Sequence, residues 1–129
     1  MSTVPGDLKY TKDHEWIRIE SDGAIVIGIT DHAQHQLGEL VFVELPEPGR
    51  SLRAGEPCAV VESVKAASDV YAPVAGTVIA VNTALAGEPN LVNANPYDTG
   101  WLLRLQPQPG ALAGLLDAAA YQQLVDASG

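Results

Sequence analysis

A mainly β fold with a helix at its C-terminal end is predicted for this chain, and three observations predict it. Short β-branched or alternating runs recur from Trp16 to Leu105; Pro and Gly interrupt them at close intervals; and sustained helical spacing of apolar residues appears only after Leu112. The 129 residues leave room for one domain, and with 47% of them apolar a core can be buried without staples.

Taken in order, Trp16-Ile17-Arg18-Ile19 and Ala24 through Ile29 read as two strands. Ser21-Asp22-Gly23 joins them, and Asp-Gly is a strong hairpin signal. A helix of about two turns is expected next, with Asp31 as N-cap, Gln34 closing a capping box and Gly38 ending it. Val41-Phe42-Val43 is a strand, after which Pro46, Pro48 and Gly49 break the chain. A β run follows from Pro57 to Val64, and others at Asp69-Val70-Tyr71 and Thr77 to Val81. Asn82 to Thr99 reads as loop with at most one turn of helix, before a last strand from Trp101 to Leu105. Leu112, Leu115, Leu116, Ala119, Ala120 and Leu124 lie on one face of an amphipathic helix expected to cap the sheet. Pro107, Pro109 and Gly110 link it too closely to make a second domain.

Sixteen acidic residues against seven basic ones give a formal charge of -9, which opposes binding to nucleic acid or anionic lipid and favours partners with positive surfaces. No apolar run approaches the roughly 20 residues that cross a bilayer, so no membrane association is expected. Met1 to Asp7 carries neither a basic and apolar leader nor an Arg-rich stretch, from which a cytoplasmic location is expected. The single cysteine, Cys58, lies in an apolar run and is expected to be a buried core thiol in a reducing compartment.

Of three lysines, Lys9 and Lys12 sit in a polar approach, whereas Lys65 stands between two apolar β runs, flanked by Val64 and Ala66-Ala67. That places it at a hairpin tip. Most lysines in β turns are merely solvated. A carrier, however, needs such an amine: on a flexible stem, exposed to an acylating enzyme and rooted in rigid structure.

Glu62-Ser63-Val64-Lys65-Ala66, followed by Asp69 through Gly76, resembles the lipoyl-attachment segment of the H protein family of the glycine cleavage system. Leu8 to Thr11, His14-Glu15-Trp16, Gly28 to Gln34, Leu37 to Pro46, Leu91-Val92-Asn93 and Leu115 to Ala118 with Tyr121 resemble further segments of that family, in its order. One departure is Asp98-Thr99 before Gly100, where the family usually has a glycine soon after the tyrosine.

The resemblance implies a barrel-sandwich hybrid of two antiparallel sheets over residues 1–129: a single lipoyl-carrier domain with an N-terminal strand extension and short helices at the edges. It implies lipoic acid on Lys65, with Glu62 and Gly76 read by the lipoylating enzymes, and Glu15 and Asp69 among the cleft residues that contact the loaded arm, while Asp13 stands where relatives can carry a smaller polar residue. Implied partners are the glycine decarboxylase (P protein), the aminomethyltransferase (T protein) and dihydrolipoyl dehydrogenase (L protein), served by a monomeric, non-catalytic component. Use as a lipoyl donor to other 2-oxo acid dehydrogenase complexes is an alternative that sequence leaves open.

Rival readings are weaker. A biotin carrier resembles a pattern with methionine on both sides of the lysine, and the neighbours here are Val64 and Ala66. A 2-oxo acid dehydrogenase lipoyl domain would show an acidic residue before the lysine and a linker after the domain. Ser63 and Lys65 could form a nucleophile and base pair, but only with a desolvated lysine. His32 and His35, with His14, could hold a metal, though surface helix histidines explain the spacing better.

Overall fold

The computed structural model describes residues 4–128, and in it two antiparallel sheets face each other across one apolar core. The larger sheet has six strands: β1 (Lys9–Tyr10), β2 (Glu15–Ile19), β3 (Ile25–Ile29), β5 (Ser51–Leu52), β8 (Gly76–Val81) and β9 (Leu103–Pro107), in the order β1-β2-β3-β9-β8-β5. The smaller has β4 (Leu40–Glu44), β6 (Pro57–Ser63) and β7 (Ala67–Tyr71), with β6 in the centre. Helices α1 (Asp31–Leu37), α2 (Leu91–Ala94) and α3 (Ala118–Ser128) lie around them.

Alternation explains which side chains meet. On the larger sheet Ile17, Ile25, Ile27, Leu103 and Leu105 point inward, toward Val43, Val61 and Val70 of the smaller one. Trp16 and Val26 point to the opposite face, where Leu8, Tyr10 and Tyr121 form a second cluster beneath α3. Strand β3 is therefore covered on both faces, which is why Ile25 to Ile29 reads as a continuous apolar run. Gly28 is required there: a Cβ would stand 2.6 Å from the Trp16 indole, whose Nε1 donates to Pro96 O at 2.8 Å.

The expected β2–β3 hairpin forms, with Gly23 at φ 90° and Asp22 Oδ1 accepting from Ala24 N. At α1 the N-cap is Thr30, not Asp31: the Thr30 hydroxyl accepts from Ala33 N at 3.3 Å. Gln34 donates to Asp31 Oδ1 rather than closing a box onto the cap. Gly38 does end the helix, at φ 83°.

The C-terminal helix begins later than the apolar spacing predicts. Ala111–Gly114 is a 3-10 turn, and Leu116 pairs in extended form with Tyr10 through two 2.8 Å backbone bonds. Asp117 then caps α3, its Oδ1 accepting from Ala120 N. Leu112 and Leu115 pack on the inter-sheet core and Leu116 on the second cluster, so the spacing reflects a chain crossing between two cores rather than one helix face. Asn82 to Thr99 likewise holds both a 3-10 turn, Thr83–Ala86, and α2, more than the single turn expected.

Candidate functional site

Strands β6 and β7 pair antiparallel from Pro57↔Tyr71 to Glu62↔Ala67, and Lys65 sits in the turn between them. Ser63 builds that turn. Its backbone N donates to Ala66 O at 2.8 Å; its hydroxyl accepts from Ala66 N at 3.1 Å and Lys65 N at 3.3 Å and donates to Ala66 O at 3.2 Å. The nearly buried hydroxyl thus spends its capacity on the turn backbone. Val64 beside it is 80% exposed, and Lys65, Ala66 and Ala67 are exposed too. Among the described residues no side chain pairs with the Lys65 ammonium. Its Cε lies 3.6 Å from where a Cβ on Gly38 would stand, so the stem passes over the end of α1.

Here is a solvated amine on a fixed base, open to acylation. A Ser-Lys dyad is not built: the hydroxyl is committed to the turn and the amine is in water. No sequence reading assigned Ser63 this role, although a serine bonding backbone N–H groups two and three residues on is a known turn device.

The residues named with Lys65 fall in three places. Glu62 lies on the outer face of β6, paired across the strands with Phe42 and Ala67. Asp69 is on the same outer face of β7, opposite Val60. Gly76 is buried in β8 of the other sheet, where a Cβ would stand 2.4 Å from Gln106 O and 3.0 Å from the Leu105 side chain. The close approach of β8 and β9 demands glycine there.

Glu15, the first residue of β2, is 2% exposed and faces the end of β7. It accepts from the Thr11 hydroxyl at 2.7 Å and from Tyr71 N at 3.3 Å, and burial pushes its carboxyl up to about 7. It borders a cavity of about 450 Å3 together with Thr11, Asp13 and Leu115; Asp69 does not line it.

The three histidines do not form one cluster. His14 Nδ1 meets the Tyr121 hydroxyl at 2.8 Å, and its ring stands 4.7 Å from that of His32. His35 lies 3.7 Å from Asp31 instead. His32 is half-buried rather than a surface residue, and no metal-binding group of three occurs among the described residues. Cys58 is buried as expected, its thiol donating to Val70 O and pushed up to about 12 by burial. No described helix is long and apolar enough to cross a membrane.

Comparison with known proteins finds relatives over nearly the whole chain. The family model for the glycine cleavage H-protein matches residues 8–128. The glycine cleavage system H protein of Halorhodospira halophila is 61% identical over 126 residues, 97% of each chain. That of Aeromonas salmonicida is 57% identical over 127 residues, 98% of each. A crystal structure of a glycine cleavage system H protein from Mycobacterium marinum superposes with a TM-score of 0.86 at 46% identity, covering 93% of this chain and 97% of that one.

Proposed function

The chain belongs to the glycine cleavage H-protein family, and from that premise we propose that it is a lipoyl carrier, loaded as an amide on Lys65. Lipoic acid held there by Lys65 would supply a disulfide able to accept the aminomethyl group left when glycine loses CO2, being reduced as it does so, with the P, T and L proteins as the partners that would load, unload and reoxidise it. The observation that carries the reading is the exposed, unpaired Lys65 on a turn whose backbone Ser63 fixes. The protein's own share is positional: one domain, cytoplasmic and monomeric, presenting one side chain to several partners and needing no catalytic residue.

Glu62 fits recognition by the lipoylating enzymes because it is displayed on the outer face three residues before the lysine. Gly76 acts from a distance, by letting β8 and β9 approach closely in the other sheet. Glu15 and Asp13, with Lys12 also in the lining, border a cavity in which an entering cation would draw the proton off Glu15 and pair with its carboxylate. Asp69 serves the arm along its path outside that cavity.

Intact mass of the protein from cells with active lipoylation, with peptide mapping across Glu62 to Tyr71, tests the proposal. A lipoyl or octanoyl increment confined to Lys65 is expected, and its loss in Lys65→Arg. An unmodified Lys65 in such cells would overturn it.

A further inference from the structure

We propose that the outer face of the three-stranded sheet beside Lys65 is the docking surface for the enzyme that acylates this lysine, with Phe42 as its anchor. This rests on the carrier reading above and adds to it the surface and the chemistry of the partner.

Among the described residues five large apolar side chains are exposed, and three of them, Val41, Phe42 and Val64, border the hairpin; Ile19 and Ile79 belong to the other sheet. The register shifts between Leu40 and Phe42, and that irregularity leaves two successive apolar residues of an edge strand exposed, 52% and 50% respectively. Phe42, Glu62 and Ala67 form one cross-strand row, and Glu44, Val60 and Asp69 the next. Val64 extends the apolar strip to the tip. An exposed strip of this kind rimmed by polar groups marks an interaction site.

Charge specifies what fits it. Strands β4, β6 and β7 carry Glu44, Glu62 and Asp69 and no lysine or arginine. The complementary surface is an apolar socket for an aromatic ring, bordered by lysine or arginine. Position then selects among the partners. An enzyme handling the far end of a loaded arm meets that end away from its root, whereas the enzyme that forms the amide must bring its active site to Nζ itself. Only that enzyme has to cover Phe42 and Val64 at every turnover.

The test uses the whole chain as substrate for a lipoate–protein ligase. That enzyme joins lipoate to ATP with loss of pyrophosphate, then transfers the acyl group to the Lys65 amine with loss of AMP and a proton. Phe42→Ala should raise KM for the protein about tenfold or more and leave kcat nearly unchanged, as removal of an anchor does. Val64→Arg, at a position too exposed to disturb the core, should raise KM comparably by setting a cation against the basic border. Ile79→Ser, equally apolar and exposed on the other sheet, should leave KM alone. An unchanged KM in both Phe42→Ala and Val64→Arg, or an equal rise in Ile79→Ser, overturns the docking surface, and so does normal loading of Phe42→Ala with impairment only in glycine cleavage. Failure of the carrier reading looks different: the unaltered chain is then not acylated at all.

Discussion

The Lys65 hairpin and the seam beneath the C-terminal helix are built on opposite plans. At the hairpin one serine hydroxyl holds the turn, and the residues around it are small or exposed. At the seam Tyr10 and Tyr121 are fully buried and stacked at 4.6 Å, and the Tyr121 hydroxyl meets both His14 Nδ1 and Thr30 Oγ1. Thr30 in turn caps α1, so α3, β2 and α1 close on one phenol. A surface that an acylating enzyme must cover can make few internal contacts, and the stability it forgoes has to reside elsewhere in the fold. Polar groups buried at or near the seam should therefore dominate stability, and those at the hairpin should govern loading.

The largest effect is expected at Glu15. Burial raises its folded-state pKa from the usual 4.5 to about 7, so between those values the folded chain holds a proton that the unfolded chain has released. Its contribution is complete below about pH 4.5 and is lost as pH rises through 7, by up to about 3 kcal/mol. His14 has the opposite sign: burial and the neighbouring His32 lower its pKa, so its contribution is lost as pH falls below the ordinary histidine range. Urea unfolding of the unaltered chain and of Glu15→Gln across pH 4.5 to 8 separates the two. The stability difference between the proteins should shift toward the glutamine variant as pH rises, and a difference independent of pH would show that Glu15 does not pay to ionise.

Tyr121→Phe should cost about 2 kcal/mol, because it keeps the stacked ring but strands His14 Nδ1 and leaves the buried Thr30 hydroxyl only its bond from Ala33 N. Loading of Lys65 should be unaffected at a temperature where the variant is folded. Slower loading at full folding would join the two regions and break the contrast between them.

Most of the β framework was legible because periodicity survives where one face, or both, is buried: β2, β3, β6 and β8 lie where alternation and turn residues put them, and β9 lies two residues later than Trp101 to Leu105, running through Pro107. The start of α3 was not, since Leu112, Leu115 and Leu116 repeat at helical spacing while serving two different clusters. The cap at α1 was misplaced by one residue, because Thr30 and Asp31 are both good caps and only the Thr30 contact to Tyr121, 91 positions away, decides between them. Val41 and Phe42 read as an ordinary strand, and nothing local announces the register shift at that strand. Lys65 could be singled out from its setting, but the spacing of Glu15, Asp69 and Gly76 in the sequence does not reveal that they lie in a cavity wall, on an outer face and inside a sheet. Such long-range placement follows from packing, which a linear pattern does not record.

Ser63→Ala gives the smallest change in stability and the sharpest test of the hairpin's plan. Removing the hydroxyl frees the Lys65 and Ala66 amides and one demand on Ala66 O, while the Ser63 N to Ala66 O bond remains. Because the two freed amides lie in an exposed turn and can turn to water, and Ala66 O keeps its bond from Ser63 N, the cost should be only about 1 kcal/mol. The consequence for function should be larger than that figure suggests. With its backbone no longer fixed, Lys65 samples many orientations, and an acylating enzyme must then select the one it can use. Amide hydrogen exchange at Lys65 and Ala66 should quicken while exchange in β3 stays as it was, and loading should slow in step with the local exchange. Fast exchange with undiminished loading would mean that the enzyme, not Ser63, sets the lysine's geometry.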